Sequence, residues 1–136
     1  MKQESLLLDT HALIWYDQNN KIPTELRTIF ESENTTIFVS SLSTWEISIK
    51  YNLGKLEEAK KLISSFERTL ATYGFIELPF TIRHSLLAGA LPIEHKDLFD
   101  RALIAQAVTE KLTLVTTDAQ IHKAVNQVTG LKVFWE

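Results

Sequence analysis

The 136-residue chain contains no cysteine, which excludes a disulfide framework, a thiolate metal site and a cysteine nucleophile. No apolar run approaches the roughly 20 residues needed to cross a bilayer. The N-terminus lacks the basic region, apolar stretch and small-residue cleavage site of a signal peptide. A cytoplasmic protein without membrane attachment is expected by elimination. There is no Gly-rich phosphate loop and no GxSxG elbow, which removes P-loop nucleotidases and α/β-hydrolases. His11, His84, His95 and His122 have no spacing such as HExxH, so a zincin site is excluded. Internal repeats, low-complexity tracts and flexible linkers are also missing.

What is present suits one globular unit. Hydrophobic residues make up 45% and charged residues 23%, well away from disorder, and the length fits a single domain spanning 1–136. The formal net charge of −3 argues at first against a nucleic-acid partner. Four acids singled out below contribute −4 of it, so the remainder of the chain is formally +1. A cation neutralising them would remove the overall repulsion of phosphate.

Strand-like and helix-like segments alternate throughout. Leu6–Leu8, Ile37–Val39, Phe75–Leu78, Thr113–Val115 and Lys132–Trp135 read as short strands. Helical patterns follow from His11 to Tyr16, Pro23 to about Glu33, Thr44 to Asn52, Glu57 to Tyr73, Ser85 to Ala90, Asp97 to Glu110 and Ala119 to Val125. Asp97 to Glu110 is apolar on most sides and should lie deep against the sheet. The strands are continuous apolar runs, so helices should cover both sheet faces. The expected architecture is a three-layer α/β/α domain with a mainly parallel sheet.

The chemistry is concentrated where apolar runs meet acids. Leu6-Leu7-Leu8 runs straight into Asp9, and Leu114-Val115-Thr116-Thr117 into Asp118. Either acid could simply cap the helix that follows, a role worth about 1 kcal/mol. Two acids at the ends of two core strands would share one rim of the sheet, and capping does not require that coincidence. Glu46 lies among large apolar residues near the start of a helix, with Lys50 four positions on as an ordinary ion-pair partner. Asp97 suits an N-cap, and Asp100 would then sit in the first turn. Asp100 precedes Ala102-Leu103-Ile104-Ala105, however, and a buried carboxylate must find a cation or take up a proton. Clustered carboxylates with no cysteine suit Mg²⁺ or Mn²⁺ rather than zinc. Such ions activate water and polarise phosphoryl oxygens.

Weaker candidates surround these four. Thr116 could contact phosphate or a metal's water, and His11, Lys50 and Arg101 could reach substrate. Lys96 is a further nearby cation. Trp15 and Trp45 could stack on a base, although core packing explains an aromatic equally well. Two rival readings use the same acids: a phosphatase-like domain with an Asp nucleophile, and a receiver-like module that holds Mg²⁺ without turnover.

The strings LLLDTHALIW, SLSTWEISIK, HKDLFDRALIAQA and LVTTDAQI, in that order, span nearly the whole chain. Together they resemble the PIN domain (PilT N-terminus) family, and particularly its VapC-type ribonuclease toxins. The resemblance implies an acidic quartet at Asp9, Glu46, Asp100 and Asp118, a hydroxyl residue at Thr116, and a supporting Asp97. It further implies Mg²⁺- or Mn²⁺-dependent RNA cleavage, a homodimer, and an antitoxin whose C-terminal segment occupies the active-site groove. Trp45 before the glutamate and His11 after Asp9-Thr10 are subgroup features, and they leave the RNA target open. Some PIN proteins process RNA without an antitoxin.

Overall fold

The computed structural model describes residues 4–135. Its elements run β1 (Glu4–Leu8), α1 (Thr10–Asp17), α2 (Thr24–Phe30), β2 (Thr35–Ser40), α3 (Ser41–Asn52), a 3₁₀ turn (Glu57–Ala59), α4 (Lys60–Ser64), α5 (Phe66–Tyr73), β3 (Ile76–Leu78), α6 (Ile82–Ala90), α7 (Leu98–Glu110), β4 (Thr113–Val115), α8 (Ala119–Ala124) and β5 (Lys132–Phe134). All neighbouring strands pair in parallel, in the order β3-β2-β1-β4-β5. No helix among the described residues is long and apolar enough to cross a membrane.

Alternation along each strand divides the core into two. Leu6 and Leu8 of β1 join Leu13, Tyr16, Phe30, Ile47 and Leu62 on one face of the sheet. Leu7, pointing the other way, joins Leu103, Ile104, Leu114 and Ile121. Both faces are therefore covered, and the molecule is a three-layer α/β/α domain. Fully burying one such leucine is worth about 1.5–3 kcal/mol. Helix α7 lies deep as expected, with six consecutive residues, Ala102 to Ala107, buried.

Most boundaries fall within a few residues of the sequence reading, and one element differs in kind. The single helix expected from Glu57 to Tyr73 is broken into the 3₁₀ turn, α4 and α5. The hydroxyls of Ser64 and Ser65 both donate to the carbonyl of Lys61 (2.9 and 3.1 Å), competing with the helical ladder. Ser65 departs to φ −145°, and α5 starts afresh behind it. Gly74 then ends α5 in the left-handed conformation, φ 75°, where a side chain would be strained. At α6, Thr81 and His84 form a reciprocal cap that extends the helix three residues earlier than the apolar pattern suggests.

The strand order places a switch point in the sheet. From β1 the chain winds outward through β2 and β3, whereas β4 and β5 lie on its other side. In such sheets the crevice between the carboxyl ends of the two strands at the reversal is the usual ligand site. Here those strands are β1 and β4, with Leu8 opposite Val115.

Candidate active site

Beyond each strand at the switch point lies an acid that caps the following helix, Asp9 directly after β1 and Asp118 three residues after β4. The N–H of Asp9 donates to the carbonyl of Val115 at 3.1 Å. Asp9 caps α1, its Oδ1 accepting from the Ala12 N–H at 2.8 Å. Asp118 caps α8 in the same way, accepting from the Ile121 N–H at 2.9 Å. The capping role foreseen for each acid is thus real, and it engages Oδ1 of each without moving either away from the rim. Between them lies Thr116, fully buried. Its hydroxyl accepts from the Asp118 N–H at 3.0 Å and hydrogen-bonds to the Asp9 carboxylate.

Glu46 reaches the same place from α3. Although charged, it is only 6% exposed. Its Oε1 accepts from the Thr10 hydroxyl at 2.6 Å, and its Oε2 pairs with Lys50 Nζ at 2.7 Å. Asp97 caps α7, with Oδ1 accepting from the N–H groups of Phe99 (2.9 Å) and Asp100 (3.1 Å). Asp100, one turn in, meets His95, whose Nε2 lies 2.8 Å from Asp100 Oδ2.

These side chains share one cleft of about 220 Å³, lined by Asp9, Thr10, His11, Trp15, Glu46, Lys50, Asp97, Asp100, Thr117 and Asp118. All four acids of the expected quartet are brought together there. Electrostatics in the cleft are those of carboxylates short of positive charge. Burial pushes the Asp9 carboxyl above its ordinary range, and the charge of Asp118 adds to this. Hydrogen bonds from Thr116 and Ala12, and the nearby His11, pull the other way. Burial likewise raises Asp100 to about 6, helped by the charges of Asp97 and Asp118 and opposed by His95.

That donor set fits a hard divalent cation. Ligand atoms of His95, Asp100 and Asp118 all lie within 4.8 Å of one another, a group that could hold a metal ion. A cation among them would offset the burial that raises Asp9 and Asp100 and the smaller repulsion between the acids, and mostly oxygen donors suit Mg²⁺ or Mn²⁺.

The surrounding candidates separate clearly. His11, Lys50 and Asp97 line the cleft. Thr116 does not, and its hydroxyl lies between the two acids rather than facing a ligand; Thr117 is the threonine at the surface of the cleft. Arg101, expected at phosphate, is directed elsewhere. Its guanidinium donates to the carbonyls of Ala88, Gly89, Leu91, Ile93 and His95. It ties the connection between α6 and α7 to its own helix, leaving no donor for substrate. Trp45 is 58% exposed and meets Phe99 edge-on outside the cleft, whereas Trp15 is part of its wall. His95 was missed by sequence reasoning. The only local signal for it was its position just ahead of the Asp97 cap, and nothing in its spacing marked it as a partner of Asp100.

The family model for the PIN domain matches residues 6–126. The chain belongs to the PIN domain family. This is a family of nucleases, and the parallel sheet with acids at its switch point is the corresponding architecture. No curated protein sequence matches the chain. Among solved structures, this PIN domain is similar to a chain of VapBC2 from Rickettsia felis bound to a promoter DNA fragment. That match has 22% identity and a TM-score of 0.68, and covers 97% of this chain and 99% of the other. It is similar to a chain of DNA-bound VapBC from Salmonella typhimurium at 18% identity and TM-score 0.67, covering 97% of each. The PIN domain endonuclease Utp24 is more distant, at 15% identity and TM-score 0.57, covering 95% of this chain and 82% of the other.

Proposed function

We propose that this PIN domain is a Mg²⁺- or Mn²⁺-dependent endoribonuclease and the toxin of a VapBC-type toxin–antitoxin pair. The observation that carries the nuclease reading is the convergence of Asp9, Glu46, Asp100 and Asp118 on the cleft at the sheet's switch point. Likeness over full length to chains from two VapBC structures supports the toxin reading. A cognate antitoxin and a homodimer are the expected protein partners.

In this reading Asp9, Asp100 and Asp118 hold a first ion, directly or through water. His95 orients Asp100. Thr116 keeps Asp9 and the backbone of Asp118 in register, and Asp97 fixes the start of α7. Glu46 helps to hold a second ion or orients the attacking water, its Oε1 aligned by the Thr10 hydroxyl and its charge met by Lys50 until a cation replaces it. When bound, the metal polarises a phosphate oxygen and makes water acidic enough to act near neutral pH. Lys50, partly exposed at the cleft, contacts the phosphate of the substrate.

Purified wild-type protein should cut RNA in Mg²⁺ or Mn²⁺ and stop in EDTA. Asp9→Asn and Asp100→Asn should each abolish cleavage while retaining the wild-type circular dichroism spectrum. Cleavage at the wild-type rate by both variants would defeat the metal mechanism. Co-expression with any small protein found encoded beside it tests the toxin assignment, since an antitoxin should suppress cleavage and co-purify.

A further inference from the structure

One wall of the acidic cleft is aromatic, and metal binding gives it no purpose. His11 and Trp15 both line the cleft and lie one turn apart on α1, the helix that Asp9 caps. Their ring centroids are 5.6 Å apart and the planes are inclined at 43°. Trp135 supports the indole edge-on at 5.5 Å. Lys21 holds its ammonium 5.2 Å from the Trp15 ring centroid, and its backbone takes the left-handed conformation, φ 58°, which a lysine adopts infrequently.

We propose that Trp15 and His11 form a subsite for one nucleobase of the RNA, adjacent to the phosphodiester that is cut, with Lys21 meeting the phosphate of the same nucleotide. The inference rests on the ribonuclease reading above and adds to it the origin of sequence preference. Trp15 packs partly against the core, which fixes the ring, and presents the remainder to a cleft whose other walls are mostly carboxylate. A flat apolar surface beside acids that would hold a phosphate through a divalent cation suits the two halves of a nucleotide, since every base has a π-face. In the free protein the Lys21 ammonium covers the indole. An arriving nucleotide offers a base to that ring and a phosphate to that ammonium. Because α1 carries both the cap Asp9 and the two rings, the base and the scissile phosphate are positioned by one rigid element.

The test is abasic scanning of an RNA oligonucleotide with a mapped cleavage site, cut by the full-length protein in Mg²⁺. For the wild type, removing the base at one position flanking the cut should raise KM roughly tenfold, the size of a single base–aromatic stack, with little change in kcat. Trp15→Leu should show that raised KM on the intact RNA and no further loss on the abasic one. Trp15→Phe, which keeps a π-face, should retain the wild-type profile if the leucine variant proves unstable. Wild-type protein that cuts no RNA overturns the ribonuclease reading and the subsite with it. Cleavage with no base-sensitive flanking position, or with a profile that Trp15→Leu leaves unchanged, overturns the subsite alone.

Discussion

His95 Nε2 and Asp100 Oδ2 are 2.8 Å apart beside the cleft that Asp100 lines, yet the Asp100 carboxyl remains raised to about 6. One imidazole does not offset burial together with the charges of Asp97 and Asp118. The cleft is therefore a place where the fold holds carboxylates against burial first and their mutual repulsion second.

A pH dependence of stability follows. Because the folded pKa of Asp100 exceeds its ordinary value of 3.8, the folded protein binds more protons than the unfolded chain between about 4 and 6. Stability from this group thus falls as pH rises through that window and stays lower above it. Asp9 acts in the same direction. In EDTA, Asp100→Asn should melt a few degrees above wild type at pH 7 and show a flatter pH profile, while being inactive. Divalent metal should restore the wild type's stability at pH 7 and bind more weakly below pH 6. Melting curves with and without Mn²⁺ decide it: no stabilisation by Asp100→Asn in EDTA would contradict the electrostatic picture.

Thr116 gives a second prediction. Thr116→Val keeps the shape but leaves the Asp118 N–H without its acceptor and the Asp9 carboxylate with the Ala12 N–H but no hydroxyl donor. A loss of about 1–3 kcal/mol in stability is expected, with a fall in cleavage because both acids lose their common support. Thr116→Ser should recover most of both. Urea unfolding and cleavage rates on the same preparations would check this.

Arg101 should behave as a structural residue. Arg101→Ala removes a guanidinium that serves five backbone carbonyls between residues 88 and 95. A cost on the order of 3 kcal/mol is expected from such a group. The salt dependence of RNA binding by folded protein should stay as in wild type, because no phosphate contact is lost. A clearly shallower salt slope would return Arg101 to the substrate.

Lys50 occupies the position of a counter-ion. Its ammonium lies 2.7 Å from Glu46 in a cleft whose acids include a group that could hold a divalent ion. Lys50→Met should bind Mn²⁺ more tightly by calorimetry, having lost a competing cation, and cut RNA more slowly, having lost a phosphate contact. Weaker Mn²⁺ binding by the variant would show that the lysine instead assembles the site.

The sequence by itself determined which residues form strands and helices, because apolar runs, periodicity and caps are local properties. Leu6–Leu8 running into Asp9 and Thr113–Val115 leading to Asp118 are legible without coordinates. So is the Glu46–Lys50 pair, four residues apart on one helix. The break at Ser64 and Ser65 was less visible, since apolar spacing continues across it while two hydroxyls compete for one carbonyl. Only the tertiary structure decided that β1 and β4 are neighbours and that Asp9 and Asp118 therefore face one cleft with Glu46 and Asp100. It also decided that His95 meets Asp100, that Arg101 turns back to the loop before its own helix, and that Trp15 rather than Trp45 borders the acids. These outcomes depend on strand order and on the rotation of helices against the sheet, which arise from packing over the whole core and leave no mark in the spacing of neighbouring residues.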